Sequence, residues 1–389
     1  MFKDNKNLII IALIAVVNAL GYGIVIPILY SYSKHFGLSD FQNGLLFSVF
    51  SLCAFFSTPV IGRLSDKYGR RPLLIISIVG TVISFFMQAF APNAFFLFLA
   101  RALDGLTAGN ISVASAVISD TTSLENRAKG FGIIGAAFGF GFVFGPAISA
   151  LTVGISLSLP FIIAGVITLI AAIITIIYLP ETNKHIGQVT HSKLFDFGKL
   201  WHMLFDAKVG ITLFITLIYF LAFSCSIIYG FQPFTKRILG LSNVEISMLF
   251  VLFGLVGLIT QLFFVQRVTK YLGLKRAFTT SIFIVAFAFL IMFFSRAVPI
   301  FIIASIILGM SNSLVQPLSQ TILSKETDEK SQGMIMGLNA SYMSIGQIFG
   351  PLIGGIVASI YIPSVFLVGI FFALICFYLS FKVLRPGMK

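Results

Sequence analysis

The sequence predicts an all-α membrane protein: twelve transmembrane helices in two six-helix bundles. Three observations carry that expectation. Apolar runs of span length recur twelve times, basic residues gather at every second joint between them, and the second half of the chain repeats stretches of the first. Composition agrees. Of 389 residues, 58% are hydrophobic and 10% charged, with a mean hydropathy of +1.03, whereas a soluble domain carries about 25% charged residues.

A bilayer core of about 30 Å needs roughly 20 apolar residues per helix. The first run, 8–30, is too long for the apolar stretch of a signal peptide and continues through Gly21 and Pro27, so it reads as a span. Runs 41–61 and 73–91 follow, separated by GRLSDKYGRR (62–71). Only the joint at 92–93 separates the third span from the fourth, 95–118, which makes an antiparallel hairpin. Runs 130–152 and 157–179 complete the first six. Beyond a polar stretch come 210–231, 244–265, 277–295, 298–322, 333–358 and 362–383, with short joints at 297–299 and 361–363. Runs of this length exceed the roughly ten residues of a barrel strand and do not alternate polar with apolar. Cys53, Cys225 and Cys376 are scattered through apolar runs, with no spacing that suggests a disulfide framework or a metal site.

Net charge is +13, and its placement explains it. With residue 1 in the cytoplasm, of the 26 Lys and Arg only Lys34, Lys236, Arg237 and Arg296 fall on the opposite side, and Arg101 lies inside a span. The positive-inside rule then puts both termini in the cytoplasm, and the charge asks for no nucleic-acid partner. The long polar stretch, 180–209, holds His185, His191, His202 and Trp201. Its irregular histidine spacing argues against a metal, and it reads as a cytoplasmic linker lying at the membrane surface. The expected organisation is an N-terminal bundle at 1–182, a linker at 183–209 and a C-terminal bundle at 210–389.

The halves resemble each other. GRLSDKYGRR after span two is answered by QRVTKYLGLKR (266–276) after span eight, and GFVFGPAISA (141–150) in span five by GQIFGPLIGG (346–355) in span eleven. Both offsets are about half the chain. A repeat of six spans in parallel orientation implies bundles related by a pseudo-two-fold axis along the membrane normal, with the binding site near the midplane between them.

On these residues the chain resembles the major facilitator superfamily from end to end. GRLSDKYGRR resembles its loop motif, RALDG (101–105) its helix-four motif with Arg101 and Gly105, and GFVFGPAISA the helix-five motif of its antiporters. LDGLTAGN, GFGFVFGP and LPET (179–182) together are most similar to the drug:proton antiporters of the tetracycline-resistance type, although LPET by itself discriminates little.

In the loop motif, Gly62 and Gly69 permit close approach and a tight turn. Asp66 stands among cations and suits the positive N-terminal end of a helix. The resemblance implies that this helix is span eleven, beginning near Gly333, and that Arg70 pairs with Asp120. Gly62, Asp66, Gly69, Arg70, Arg71 and Asp120 would then gate the cytoplasmic side; the alternative is that a basic loop serves topology alone. Lys270 takes the place of Asp66 in the second half, so the latch is expected on one side only. In spans five and eleven, Gly141, Gly145 and Pro146, and Gly346, Gly350 and Pro351, make small-residue faces beside a bending proline. Those spans are expected to be bent, tightly packed helices between the bundles.

Asp104 is the one acid well inside a span. A bare charge at the bilayer centre costs at least about 2.5–3.5 kcal/mol, so it must be paired, protonated or facing water. Arg101 lies almost one turn away on a similar face. The ion pair favours the carboxylate and burial the neutral acid, so a pair that opens and closes could take and release a proton; a permanent pair ordering span four is the equal alternative. Asn18 occupies the place in span one where relatives of this type often carry an acid, and it cannot titrate. The remaining candidates for lining a cargo site are neutral: Tyr22, Asn110, Tyr229, Asn312, Gln316, Asn339 and Tyr342. Each amide could instead serve a helix–helix hydrogen bond. Such a cavity suits a neutral, zwitterionic or weakly charged amphiphile.

The resemblance therefore implies a secondary exporter of small amphiphilic compounds by proton antiport with alternating access, in a bacterial inner membrane and acting as a monomer. The alternative is a uniporter or proton symporter of a sugar or organic anion, with Arg101 as the anion clamp. No nucleotide-binding loop, catalytic triad or metal cluster is present in the sequence, so neither an enzyme nor a cofactor is expected.

Overall fold

The computed structural model describes residues 2–122, 124–183, 186, 197–206, 209–327 and 331–383. Every regular element among them is a helix. α1 (Phe2–Val25) and α2 (Leu29–His35) make one span bent by 53°, at a break that contains Pro27, whose missing N–H cannot continue the ladder. α3 (Asp40–Tyr68) and α4 (Arg70–Ala89) meet at Gly69, which turns the chain at φ 103°. α5 (Ala94–Leu106) and α6 (Asn110–Thr121) form the fourth span, interrupted at 107–109. α7 (Leu124–Val153) and α8 (Leu159–Tyr178) complete the first six, and α9 (Phe197–Leu204) is a short helix of the connecting stretch.

The seventh span is α10 (Gly210–Phe223), a π-helical turn (Ser224–Tyr229) and α11 (Phe231–Arg237). The eighth is α12 (Asn243–Ile259), a second π-turn (Thr260–Phe264) and α13 (Val265–Leu272). α14 (Leu274–Phe294), α15 (Val298–Glu326), α16 (Gln332–Ile360) and α17 (Ser364–Ser380) follow. By length and apolarity ten helices can cross a bilayer, the bent pair makes an eleventh, and the shorter α17 brings the apolar segments to the expected twelve. His185 and His191, which the sequence places in the linker, lie outside the described residues.

Contacts divide the chain into two compact units, one of residues 1–38, 49–194 and 242–251, the other of 39–48, 195–241 and 252–389. In the first, α7 lies along α1: a Cβ on Gly141 would stand 2.3 Å from the Ala19 Cβ, and one on Gly145 2.8 Å from the Gly23 Cα. In the second, α16 lies along the seventh span, where a Cβ on Gly350 would stand 2.6 Å from the Ser224 Cβ. Both helices run unbroken through Pro146 and Pro351. Their glycine faces therefore lie where two backbones come nearest, and α16 also meets the start of α3, where a Cβ on Gly355 would stand 2.7 Å from the Asp40 carbonyl oxygen.

Candidate functional site

Three groups of the predicted residues come together. The first surrounds the break in span four. α5 buries Arg101 and Asp104, 5% and 8% exposed, and the Arg101 Nη1 donates to the Asp104 Oδ2 at 3.1 Å. The guanidinium lies 4.4 Å from the centre of the Phe50 ring, a cation–π contact that holds it in place. Its Nε has no partner. Tyr22 faces this arginine from α1, its ring 6.3 Å from Phe50 and 6.1 Å from Phe142. At the first residue past the break, the Asn110 Oδ1 accepts from the Asn18 Nδ2 and from the Ile111 N–H at 2.8 Å. These two amides thus spend themselves on tying span one to span four. Gly105 lets α3 approach, since a Cβ there would stand 2.4 Å from the Phe50 carbonyl oxygen.

The second group lies at the α3–α4 turn. Arg70, 9% exposed, donates to Asp66, to the Ser65 hydroxyl at 2.8 Å and to Asp120 at 2.9 Å. Asp120 is the penultimate residue of α6, so the guanidinium pins the turn to the end of span four. Arg71 donates to the Ile176 carbonyl at 2.7 Å. The carboxylate of Glu181 caps α4, accepting from the backbone N–H of Arg70 at 2.9 Å and of Arg71 at 3.1 Å. Burial pushes this carboxyl up, but the N–H groups of Asn183, Arg70, Arg71 and Thr182 outweigh it and hold the group below its ordinary value. Gly69 is doubly required here: its φ lies in the left-handed region, and a Cβ would stand 2.4 Å from Glu181 Oε2. Gly62 leaves room for the Ser112 hydroxyl of α6.

The third group belongs to the second unit. Tyr219 donates to the Asn312 Oδ1 at 2.7 Å, and the Thr216 and Ser319 hydroxyls share a bond at 3.3 Å. Asn339, 4% exposed, points its Nδ2 only at the Met343 sulfur, 3.8 Å away, and its Oδ1 has no partner. An unmet buried amide oxygen costs about 1–3 kcal/mol. Thr216, Tyr219, Ser319, Asn339 and Met343, with Gln316 and Phe220, line a cavity of about 10 Å³, the room of one water, and Asn312 reaches it only through Tyr219. Tyr229 and Tyr342 stand apart from it. Tyr229 is fully buried and donates to the Asp40 carbonyl at 2.8 Å, while Tyr342 packs with Val209, Leu213, Leu323 and Ile335.

The sequence model of the Major Facilitator Superfamily matches residues 11–230 and 212–389. The chain belongs to that superfamily. Among its relatives, the class C tetracycline resistance protein of Escherichia coli is 29% identical over 376 residues, which cover 93% of this chain and 91% of that one. The quinolone resistance protein NorA of Staphylococcus aureus is 27% identical over 392 residues, 99% of each. Among solved structures, the human organic anion transporter MFSD10 aligns at a TM-score of 0.74 and 20% identity, covering 97% of this chain and 99% of that one. The nucleoside transporter NupG aligns at 0.76 and 16%, covering 98% of each. As a Major Facilitator Superfamily member the protein is a multi-pass membrane transporter and not an enzyme.

Two functional features of this transporter are silent in the sequence reading. Glu181 lies in LPET, far from the loop motif in the chain, and only folding brings it to the start of α4; the signal was an acid just past the end of span six. The break in span four carries no proline, and Gly105 just before it stands out in the sequence only as part of the helix-four motif.

Proposed function

We propose that the protein exports small amphiphilic compounds in exchange for protons by alternating access, with both termini in the cytoplasm, α9 in the membrane interface, and the chain working as a monomer. The observation that carries this reading is the buried Arg101–Asp104 pair beside a broken transmembrane helix. Discontinuous helices mark the sites of many secondary transporters. An acid and a base held in low dielectric interact strongly, so any motion that parts them changes the affinity of the carboxylate for a proton. Asp104 carries the proton in this reading. Asp66, Arg70, Arg71, Asp120, Gly62 and Gly69 gate the cytoplasmic side. Tyr22 in the first unit, and Asn312, Gln316 and Asn339 in the second, meet cargo, with the free Asn339 oxygen accepting from it. One proton entering through 100 mV supplies about 2.3 kcal/mol, enough to concentrate an uncharged cargo some tens-fold.

The resistance proteins among the relatives make tetracycline and a fluorescent quinolone the first probes. In proteoliposomes with an imposed pH gradient, uptake follows the gradient in the wild type and loses its dependence on the gradient in Asp104→Asn. A mutant that still couples overturns the role of Asp104. A second reading, a uniporter or symporter of an organic anion, draws on the unpartnered Nε of Arg101. It predicts gradient-independent uptake of an anion that Arg101→Lys abolishes.

A further inference from the structure

α4 carries a polar stripe. Ser77, Thr81, Ser84 and Gln88 recur at intervals of four, three and four residues and so share one face of the helix. All four are turned inward, between 0% and 8% exposed. The hydroxyls of Thr81 and Ser84 donate back to the carbonyls of Ser77 at 3.2 Å and Thr81 at 2.9 Å. Such bonds make a hydroxyl tolerable in a buried helix without explaining why four polar residues occupy one buried face.

Two contacts and two vacancies give the stripe a direction. Ser84 stands beside the carboxylate of Asp104 on α5, and its hydroxyl turns to that carboxylate when it gives up the bond to the Thr81 carbonyl. Gln88, fully buried one turn further on, donates to the Ser84 carbonyl at 3.3 Å, and Tyr32 donates to the Gln88 carbonyl at 2.6 Å, which fixes that end of α4. The Gln88 Oε1 and the Arg101 Nε are both buried and have no protein partner. Polar atoms of this kind are where proteins hold internal water. Past Gln88 the chain reaches the surface within two residues, at Phe90, 68% exposed. Gln88 and Ser84 stand about 6 Å apart along the axis, a gap that one water bridges. The groups around Asp104 are Arg101 on its own helix, Ser84 on α4, Cys53 on α3 beside Gly105, and Tyr22 on α1 facing Arg101.

We infer that Ser84 and Gln88, with bound water, form the route by which a proton reaches Asp104 from the outer end of α4. A hydronium ion at the Gln88 end gives up a proton, each water and the Ser84 hydroxyl accepts one hydrogen and passes on another while the Gln88 amide oxygen only holds the water in line, and the Asp104 carboxylate becomes the neutral acid with a water molecule left outside. This rests on the reading of Asp104 as the proton carrier. Ser84 and Gln88 are positioning residues for that transfer and touch no cargo.

The test needs no cargo. In proteoliposomes, the infrared carbonyl band of protonated Asp104, identified by its loss in Asp104→Asn, is followed after a drop in external pH. Ser84→Ala and Gln88→Leu are expected to reach the wild-type amplitude but about 100-fold more slowly, within the range that positioned proton-transfer groups supply. Ser84→Thr, which keeps the hydroxyl, follows the wild type. The equal final amplitude shows that the variants are folded around an intact pair. Wild-type rates in both variants overturn the route and leave the carrier standing. A wild-type protein with no Asp104 band at any pH overturns the carrier, and the route with it.

Discussion

At the residue scale, Glu181 is the least expected participant. It closes the first unit at the α3–α4 turn by occupying the positive end of α4, where a carboxylate is most useful. Its lowered affinity for protons has a definite consequence for stability. A group whose folded value lies below its unfolded one contributes fully above the unfolded value, and the contribution is lost as pH falls through the folded value. Glu181→Gln is therefore expected to melt below the wild type at neutral pH, with the difference closing in acid; thermal melts of the purified protein across pH check this. An offset that persists unchanged into strong acid would rule out the cap as its cause. Arg70 makes the complementary point. Its pairing with Asp120 follows from a motif that can be read by eye, because loop and helix end are short and polar. Glu181 joins them from more than a hundred residues away, and no local pattern announces it.

At the element scale, hydrophobic run length located the spans well, because the bilayer imposes one length on all of them. It could not locate the interruptions within them. Pro27 marks the bend between α1 and α2, but the break at 107–109 and the two π-turns carry no proline that would mark them in the sequence. The glycine faces of α7 and α16 were legible as faces, yet their partners, α1 and the seventh span, were not, since a small residue says that something comes near without saying what. α9 offers a direct measurement. Met203 and Leu204 pack on the core cluster around Leu213 and Tyr342, whereas Trp201 and Phe205, 64% and 72% exposed with rings 5.4 Å apart, face away. Trp201 is the single tryptophan of the chain, so its emission reports on this helix alone. In proteoliposomes it is expected to be quenched by lipids brominated near the headgroup and shielded from aqueous iodide. Quenching by iodide instead would place α9 in water.

At the scale of the whole molecule, the repeat between the halves points to a superfamily transporter, because two copies of one architecture leave the same glycines at the same places. The departures from the repeat, Lys270 in the place of Asp66 and Asp104 as the one acid well inside a span, already point to an asymmetry. The acid, its arginine and the salt-bridged turn all lie in the first unit, and the neutral cavity around Asn339 lies in the second. The turn is expected to serve motion more than affinity: Asp66→Asn should slow tetracycline counterflow several-fold while leaving equilibrium binding of the drug nearly unchanged, and a pure loss of binding would remove the gating role. The π-turns in spans seven and eight bear on the same motion. Each stores one residue more than an α-turn would need. Tightening either one to α geometry would screw the rest of its span round by about 100° and push it out by about 1.5 Å. Each of these two spans is therefore wound with one tooth of slack, enough to exchange the face it presents without any loop changing length.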